Sequence, residues 1–232
     1  MNKVSVYLLT VFVFFISSLP CLSELNILFD EDAKNEAGEG NFVGKFVSHD
    51  AGSTVTVTSK SVFSGKASVF VTPAQSFNNQ MPNWNFRITD KPSAKNEYRY
   101  IRFAWKSDGG TGVMMQFPDN GSWGAVTVPC ADPPAPGTRR YIAGQNVTGW
   151  TGICVAKNIP KDWTVIERDL FADFGSFTMT GLALTPFSDG GNGDYYDAIM
   201  LAAKENELPS LFAVSSKDKL VTIWAKIKNY SK

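Results

Sequence analysis

The sequence predicts an all-β sandwich closed by a short C-terminal amphipathic helix. Three observations carry this. Short apolar-alternating runs recur along the chain, punctuated by Gly, Pro, Asn and Asp. Few segments before residue 214 have helical period. The runs are also too closely spaced for strand–helix–strand units, so a sandwich is expected rather than a parallel sheet.

The N-terminus, "MNKVSVYLLTVFVFFISSLPCLSELN", has one early cation, Lys3, and an apolar stretch from Val4 to Leu19. Small residues follow at Cys21 and Ser23. This is the form of a secretory signal peptide, residues 1–23, cleaved after Ser23. The alternatives are an uncleaved anchor, for which the apolar stretch is shorter than the roughly 18 residues of a spanning helix, and a lipidated Cys21, which Pro20 disfavours. The expected compartment is therefore extracellular or periplasmic.

Removing 23 of the 232 residues leaves 209, enough for one domain with a small appendage: a sandwich over 24–203, then a linker and helix over 204–232. Cleavage takes Lys3 from the 22 basic residues and leaves 22 acidic ones. A near-neutral chain has no electrostatic footprint for nucleic acid or for anionic membrane, and no later stretch suits a bilayer span. Cys21 also leaves, so Cys130 ("VPCADPP") and Cys154 ("TGICVAKN") remain. In an exported chain they suggest one disulfide; two reduced, partly buried thiols are the alternative.

Strands are expected at 26–30, 54–58, 67–72, 83–88, 98–106, 112–117, 125–128, 139–143, 153–156, 164–169, 178–185 and 194–201. In "YRYIRFAWK" Ile101, Phe103 and Trp105 share one face, and Tyr100, Arg102 and Lys106 the other. "SDGGTG" then turns the chain into "VMMQF" as a hairpin, with Gly109, Gly110 and Gly112 free for positive φ. Residues 131–137, "ADPPAPG", form a stiff surface loop. In "SSKDKLVTIWAKIKNYSK" Leu220, Ile223, Trp224 and Ile227 follow helical spacing, and Ser215 with Asp218 fits a capping box. This helix either packs on its own sandwich or docks to a protein partner.

Several chemistries are absent. The sole histidine, His49, is expected in a loop, and its neighbours Ser48 and Asp50 cannot form a triad, which is assembled from separated segments. One histidine without a close cysteine pair excludes the usual zinc sites. No phosphate-binding glycine motif occurs. Glu167 and Asp169 match the first two acids of the E-x-D-x-x-E signature of jelly-roll β-glucanases, but the third position is Ala172. A glycan-cleaving enzyme is therefore the weaker reading, and surface acids the better one. No catalytic residue is assigned.

Six tryptophans remain as binding chemistry. Indole faces accept pyranose C–H groups, and polar neighbours read hydroxyls. Trp123 ("NGSWGA") and Trp150 ("NVTGWTG") lie among loop residues and are expected to be partly exposed, whereas Trp105 and Trp163 suit core positions. With Tyr141 and Arg102 they form the candidate glycan contacts. Acids mark both ends of the domain: Asp30 and Glu31 at the end of the first strand, Asp197 in the last. Period-2 alternation puts Asp197 on the face of Ile199 and Leu201. A buried carboxylate needs partners, either backbone amides or a calcium ion ringed by oxygens.

The stretch from "YRYIRFAWKSDGG" through "DGGNGDYYDAIML" resembles the galactose-binding-like jelly-roll sandwich of carbohydrate-binding modules in exported bacterial proteins. The resemblance rests on Trp163-Thr-Val before Arg168-Asp169-Leu170-Phe171, on "FTMTGLAL", and on "YYDAIML". It implies a structural calcium held by Asp197 with Asp30 or Glu31, and glycan contacts from a sheet face or the strand-end loops. No sugar-contact motif can be matched residue by residue. The expectation is a non-catalytic glycan-binding module; a structural or protein-interaction module of a cell-envelope assembly is the alternative.

Overall fold

The computed structural model describes residues 25–30, 42–50, 52–124, 139–144, 152–187 and 191–209. The leader, the expected strand at 125–128 and the expected C-terminal helix lie outside these residues, as do Glu31, Cys130 and Trp150. Among the described residues no helix is long and apolar enough to cross a membrane.

In chain order the first strands are β1 (Asn26–Phe29), β2 (Ser48–His49), β3 (Val55–Thr58), β4 (Ser68–Val71) and β5 (Ser76–Asn78). Next come β6 (Phe86–Ile88), β7 (Glu97–Tyr98), β8 (Tyr100–Ser107), β9 (Gly112–Gln116) and β10 (Arg140–Gly144). The last are β11 (Ile153–Ala156), β12 (Thr164–Asp169), β13 (Phe177–Met179), β14 (Leu182–Phe187) and β15 (Asp194–Ala202); among the described residues the one α-helix, α1 (Leu170–Phe174), lies between β12 and β13.

Two six-stranded sheets make the sandwich. The first runs β12-β8-β15-β4-β3, with β1 added along β15; the second runs β11-β10-β9-β14-β5-β2. A small sheet, β13-β6-β7, closes one side. The core lies between the large sheets: Ile101, Phe103 and Trp105 of β8 meet Val113, Met115 and Tyr141 of the second sheet. Burying rings of this size supplies the main driving force.

The helical turn at α1 was not legible as a period, because five residues are too few. Its start is chemical: Asp169 accepts the Ala172 amide at 2.9 Å as N-cap, and Gly175 ends it at φ 73°. Thr178–Thr185 is two strands, not one, since the chain breaks at Thr180–Gly181. A Cβ on Gly181 would stand 2.0 Å from the Asn78 carbonyl oxygen, so only glycine passes there. His49 lies on the short edge strand β2, with its Nδ1 3.0 Å from the Ser76 hydroxyl.

A bulge in β15 corrects the expected phase of the last strand. Tyr196 pairs with Trp105 and Asp197 with Ala104, but Met200 pairs with Arg102, so β15 holds one extra residue there. Ala198 absorbs it at φ 50°. Asp197 therefore shares the outer face with Ala104 and Met200, while Ile199 and Leu201 turn into the core. The acid never occupies the core position that strict alternation assigns to it.

Candidate functional site

The second sheet presents a transverse row on its outer face. Val113, Met115 and Phe117 point into the core, so Gln116 points out. Arg140 and Ala183 both stand opposite Gln116, Phe77 stands opposite Ala183, and Ser48 opposite Phe77. The row Arg140–Gln116–Ala183–Phe77–Ser48 thus crosses five strands, roughly 19 Å at about 4.8 Å per strand.

Trp123 sits on this row. Its carbonyl accepts from Gln116 Nε2 at 3.0 Å and from Arg140 Nη2 at 3.4 Å. Its ring meets Phe77 edge-on, with centroids 5.9 Å apart. Arg139 braces the same loop by donating to the Ser122 carbonyl at 2.9 Å and to the Phe117 carbonyl at 3.2 Å. Gln116, Arg139 and Arg140 are buried, whereas Trp123, Phe77 and Ser48 are partly open to solvent. Burial, with the adjacent Arg139 charge, pushes the Arg140 guanidinium down to about 10. The row is thus a buried polar foundation under an accessible pair of rings.

The other anticipated contacts fall elsewhere. Tyr141 is fully buried, opposite Met115 on the inner face of β10. Its hydroxyl donates to Asp173 at 2.7 Å, and Arg168 grips the same carboxylate through Nε and Nη2. It offers no ring face to a ligand. Burial, then the Asp173 charge, pushes its phenol well above the ordinary range. Arg102 does lie on the polar face of β8, but that face is covered. It is 4% exposed and donates to Glu167 at 2.5 Å and to the Pro209 carbonyl at 2.6 Å. Leu208 packs beside it on Met200 and Ala202, so the chain after β15 straps the sheet. Trp163 is not a core residue either: it stands half-buried on the outer face of the first sheet against Phe63 and Tyr195.

The paired acids are structural. Glu167 holds Arg102, and Asp169 holds Arg99 at 2.7 Å while capping α1. Asp197, fully buried, accepts the Phe63 and Ser64 amides on Oδ2 at 2.9 and 3.0 Å and the Ala198 amide on Oδ1 at 2.8 Å. Burial nevertheless pushes it up to about 7, against those three amides and with help from the Asp30 charge. A carboxylate has about four lone-pair sites, so three amides leave one for a cation. Among the described residues no three Asp, Glu, His or Cys side chains converge on a metal position.

Sequence reasoning missed Gln116, Arg140 and Phe77. The alternation of "VMMQF" sets Gln116 opposite Met115 and Phe117, which was a usable signal. The cross-strand register that aligns it with Arg140 was not.

No family model matches the chain, and no curated protein does. Solved structures do match. One is the CBM22-1 xylan-binding domain of Xyn10C from Paenibacillus barcinonensis, at 12% identity over 78% of this chain and 96% of that one, TM-score 0.37. Another is the family 30 carbohydrate-binding module of a Clostridium thermocellum cellulosomal cellulase, at 11% identity over 79% and 96%, TM-score 0.36. A third is the glycoside hydrolase domain of Endo-D from Streptococcus pneumoniae R6, at 11% identity and TM-score 0.39; the match covers 66% of this chain and 20% of that one. Likenesses of this size fix neither a family nor a ligand.

Proposed function

We propose that the protein is an exported, non-catalytic glycan-binding module whose ligand stacks on Trp123 and Phe77. The observation that carries the reading is the mounting of Trp123: two buried side chains hold its carbonyl while its ring stays partly open beside a second aromatic. A pre-set flat ring binds a pyranose face with little loss of side-chain freedom. Ser48 on the same row supplies a hydroxyl for hydrogen bonding. Arg140, Arg139 and Gln116 act as positioning residues. Trp150 belongs to the proposal as a second platform from outside the described residues. Export is supported by the N-terminal sequence.

Two further features belong to the same reading. A Cys130–Cys154 disulfide suits an exported chain, and Cys154 faces outward on the edge strand β11. Peptide mass mapping without reductant tests it. A calcium ion shared by Asp30, Glu31 and Asp197 is favoured by the repulsion between Asp30 and the buried Asp197. Asp197 would contribute its remaining lone pair, and the ion would offset the repulsion between Asp30 and Asp197.

Retention in affinity gels containing neutral polysaccharides tests the main proposal. Trp123→Ala should abolish retention without altering the melting temperature by more than a few degrees. Equal retention of the variant, or no retention of the wild type on any neutral polysaccharide, overturns it.

A further inference from the structure

The opposite face of the sandwich carries a second aromatic row. On the first sheet Thr56 of β3 stands opposite Phe70 of β4, Phe70 opposite Tyr195 of β15, and Tyr195 opposite Lys106 of β8. Thr164 pairs with Trp105, so Trp163, one residue earlier, extends the same row at the sheet edge. The rings touch in sequence: Phe70 to Tyr195 at 4.6 Å, Tyr195 to Trp163 at 6.3 Å, and Trp163 to Phe63 at 5.8 Å between centroids. Tyr195 is nearly closed off, but Phe63, Phe70 and Trp163 are each partly open to solvent. None of these four rings belongs to the main core.

Beside Trp163, at the sheet edge, its sequence neighbours Asp162 and Thr164 line a groove of about 760 Å³, together with Thr111, Lys157, Asn158 and Lys161. Much of its lining is the connection between β11 and β12, the edge strands of the two sheets. The Pro160 carbonyl, between the two lysines, accepts the Ser107 amide at 2.7 Å and fixes the loop to the end of β8. Lys157 and Lys161 are exposed, and neither forms an ion pair among the described residues. Lys106 stands on the row itself, opposite Tyr195, and donates to the Ser61 hydroxyl at 3.3 Å. Asp108, whose charge reaches Tyr195, and Asp162 are the acids that face the row and the groove. The lysines outnumber them.

We infer that this edge is a second binding site, independent of Trp123, for a saccharide chain bearing carboxylates. Its pyranose rings stack on Trp163 and Phe63, and its carboxylates pair with Lys157 and Lys161. Aromatic faces meet the C–H side of a sugar. Ammonium groups on long stems reach charges that vary along a polymer. Asn158, Thr111 and Thr164 supply donors and acceptors for hydroxyls.

The test is affinity electrophoresis of the full chain in polygalacturonate and in a neutral xylan, at low and high salt. Polygalacturonate should retard the wild type more than xylan does, and added salt should weaken the effect. Trp163→Ala, and separately the exposed pair Lys157→Ala/Lys161→Ala, should each weaken apparent affinity about tenfold or more. Trp123→Ala should leave it unchanged, so this site can fail or stand apart from the Trp123 site. The lysine pair makes no contact that the fold uses, so it serves as the control against misfolding in Trp163→Ala. Absence of retardation overturns the inference. So does retardation that survives Trp163→Ala, which is charge attraction alone, or equal, salt-insensitive retardation in xylan.

Discussion

Asp197 sets burial against backbone donors, and the outcome is measurable. Three amides point at its carboxylate, which favours the charged form. Complete burial and the Asp30 charge oppose them, and the carboxyl is pushed up to about 7 from an ordinary 3.8. The folded chain thus holds a proton that the unfolded chain has released. The associated stability is present in full below 3.8 and is lost as pH rises through 7. Between pH 4.5 and 8.5, at about 1.36 kcal/mol per tenfold change in acidity, this amounts to about 3 kcal/mol.

The perturbation is Asp197→Asn. Its amide oxygen keeps the Phe63 and Ser64 bonds, and the Ala198 bond is lost at a cost of about 1 kcal/mol at every pH. Urea unfolding of both proteins in EDTA should show the variant gaining on the wild type by about 3 kcal/mol from pH 4.5 to 8.5. A pH-independent gap, or one that moves toward the wild type, would mean that the amides win, and would refute the reasoning. Calcium at pH 8.5 should raise the wild-type melting temperature and leave Asp197→Asn unmoved; no shift with calcium removes the proposed ion.

Two other residues give sharp expectations. Asp194 is wholly buried, and among the described residues neither carboxylate oxygen has a hydrogen-bond donor, because the Ser107 hydroxyl donates to the Gly109 carbonyl at 2.6 Å. Burial, with the Asp108 charge adding to it, pushes its carboxyl well up, so its stabilisation too fades with rising pH; Asp194→Asn should flatten the pH dependence of the melting temperature, and a steeper one counts against this. Arg102→Ala should loosen the strap at Pro209 and cost about 2 kcal/mol, the scale of a charge-assisted hydrogen bond; faster hydrogen exchange in residues 205–209 is the readout, and unchanged exchange contradicts it.

Strand existence was legible where alternation ran long, as in β8, where Ile101, Phe103 and Trp105 face the core as read. Short elements escaped: β5 has three residues and β2 two, too few for a period. The larger errors came from tertiary structure. Arg102 sits on the polar face of its strand, yet a segment more than 100 residues later covers it. Tyr141 was expected to contact a glycan, although "RYIAG" alternates and its pairing with β9 turns the ring inward. The Ala198 bulge shifts the phase of β15 with no glycine or proline to announce it. Trp163 looked like the start of a core strand, but register sets it on the outer face, where the sheet ends.

The central claim is that a glycan lies on Trp123, and the indole N–H resonance of that residue tests it most directly. A titration with an oligosaccharide from whichever neutral polysaccharide retains the wild type should shift the Trp123 indole signal and the Gln116 side-chain amide signals, and leave the buried Trp105 indole in place. Saturable binding with the Trp123 and Gln116 signals unmoved would contradict the account.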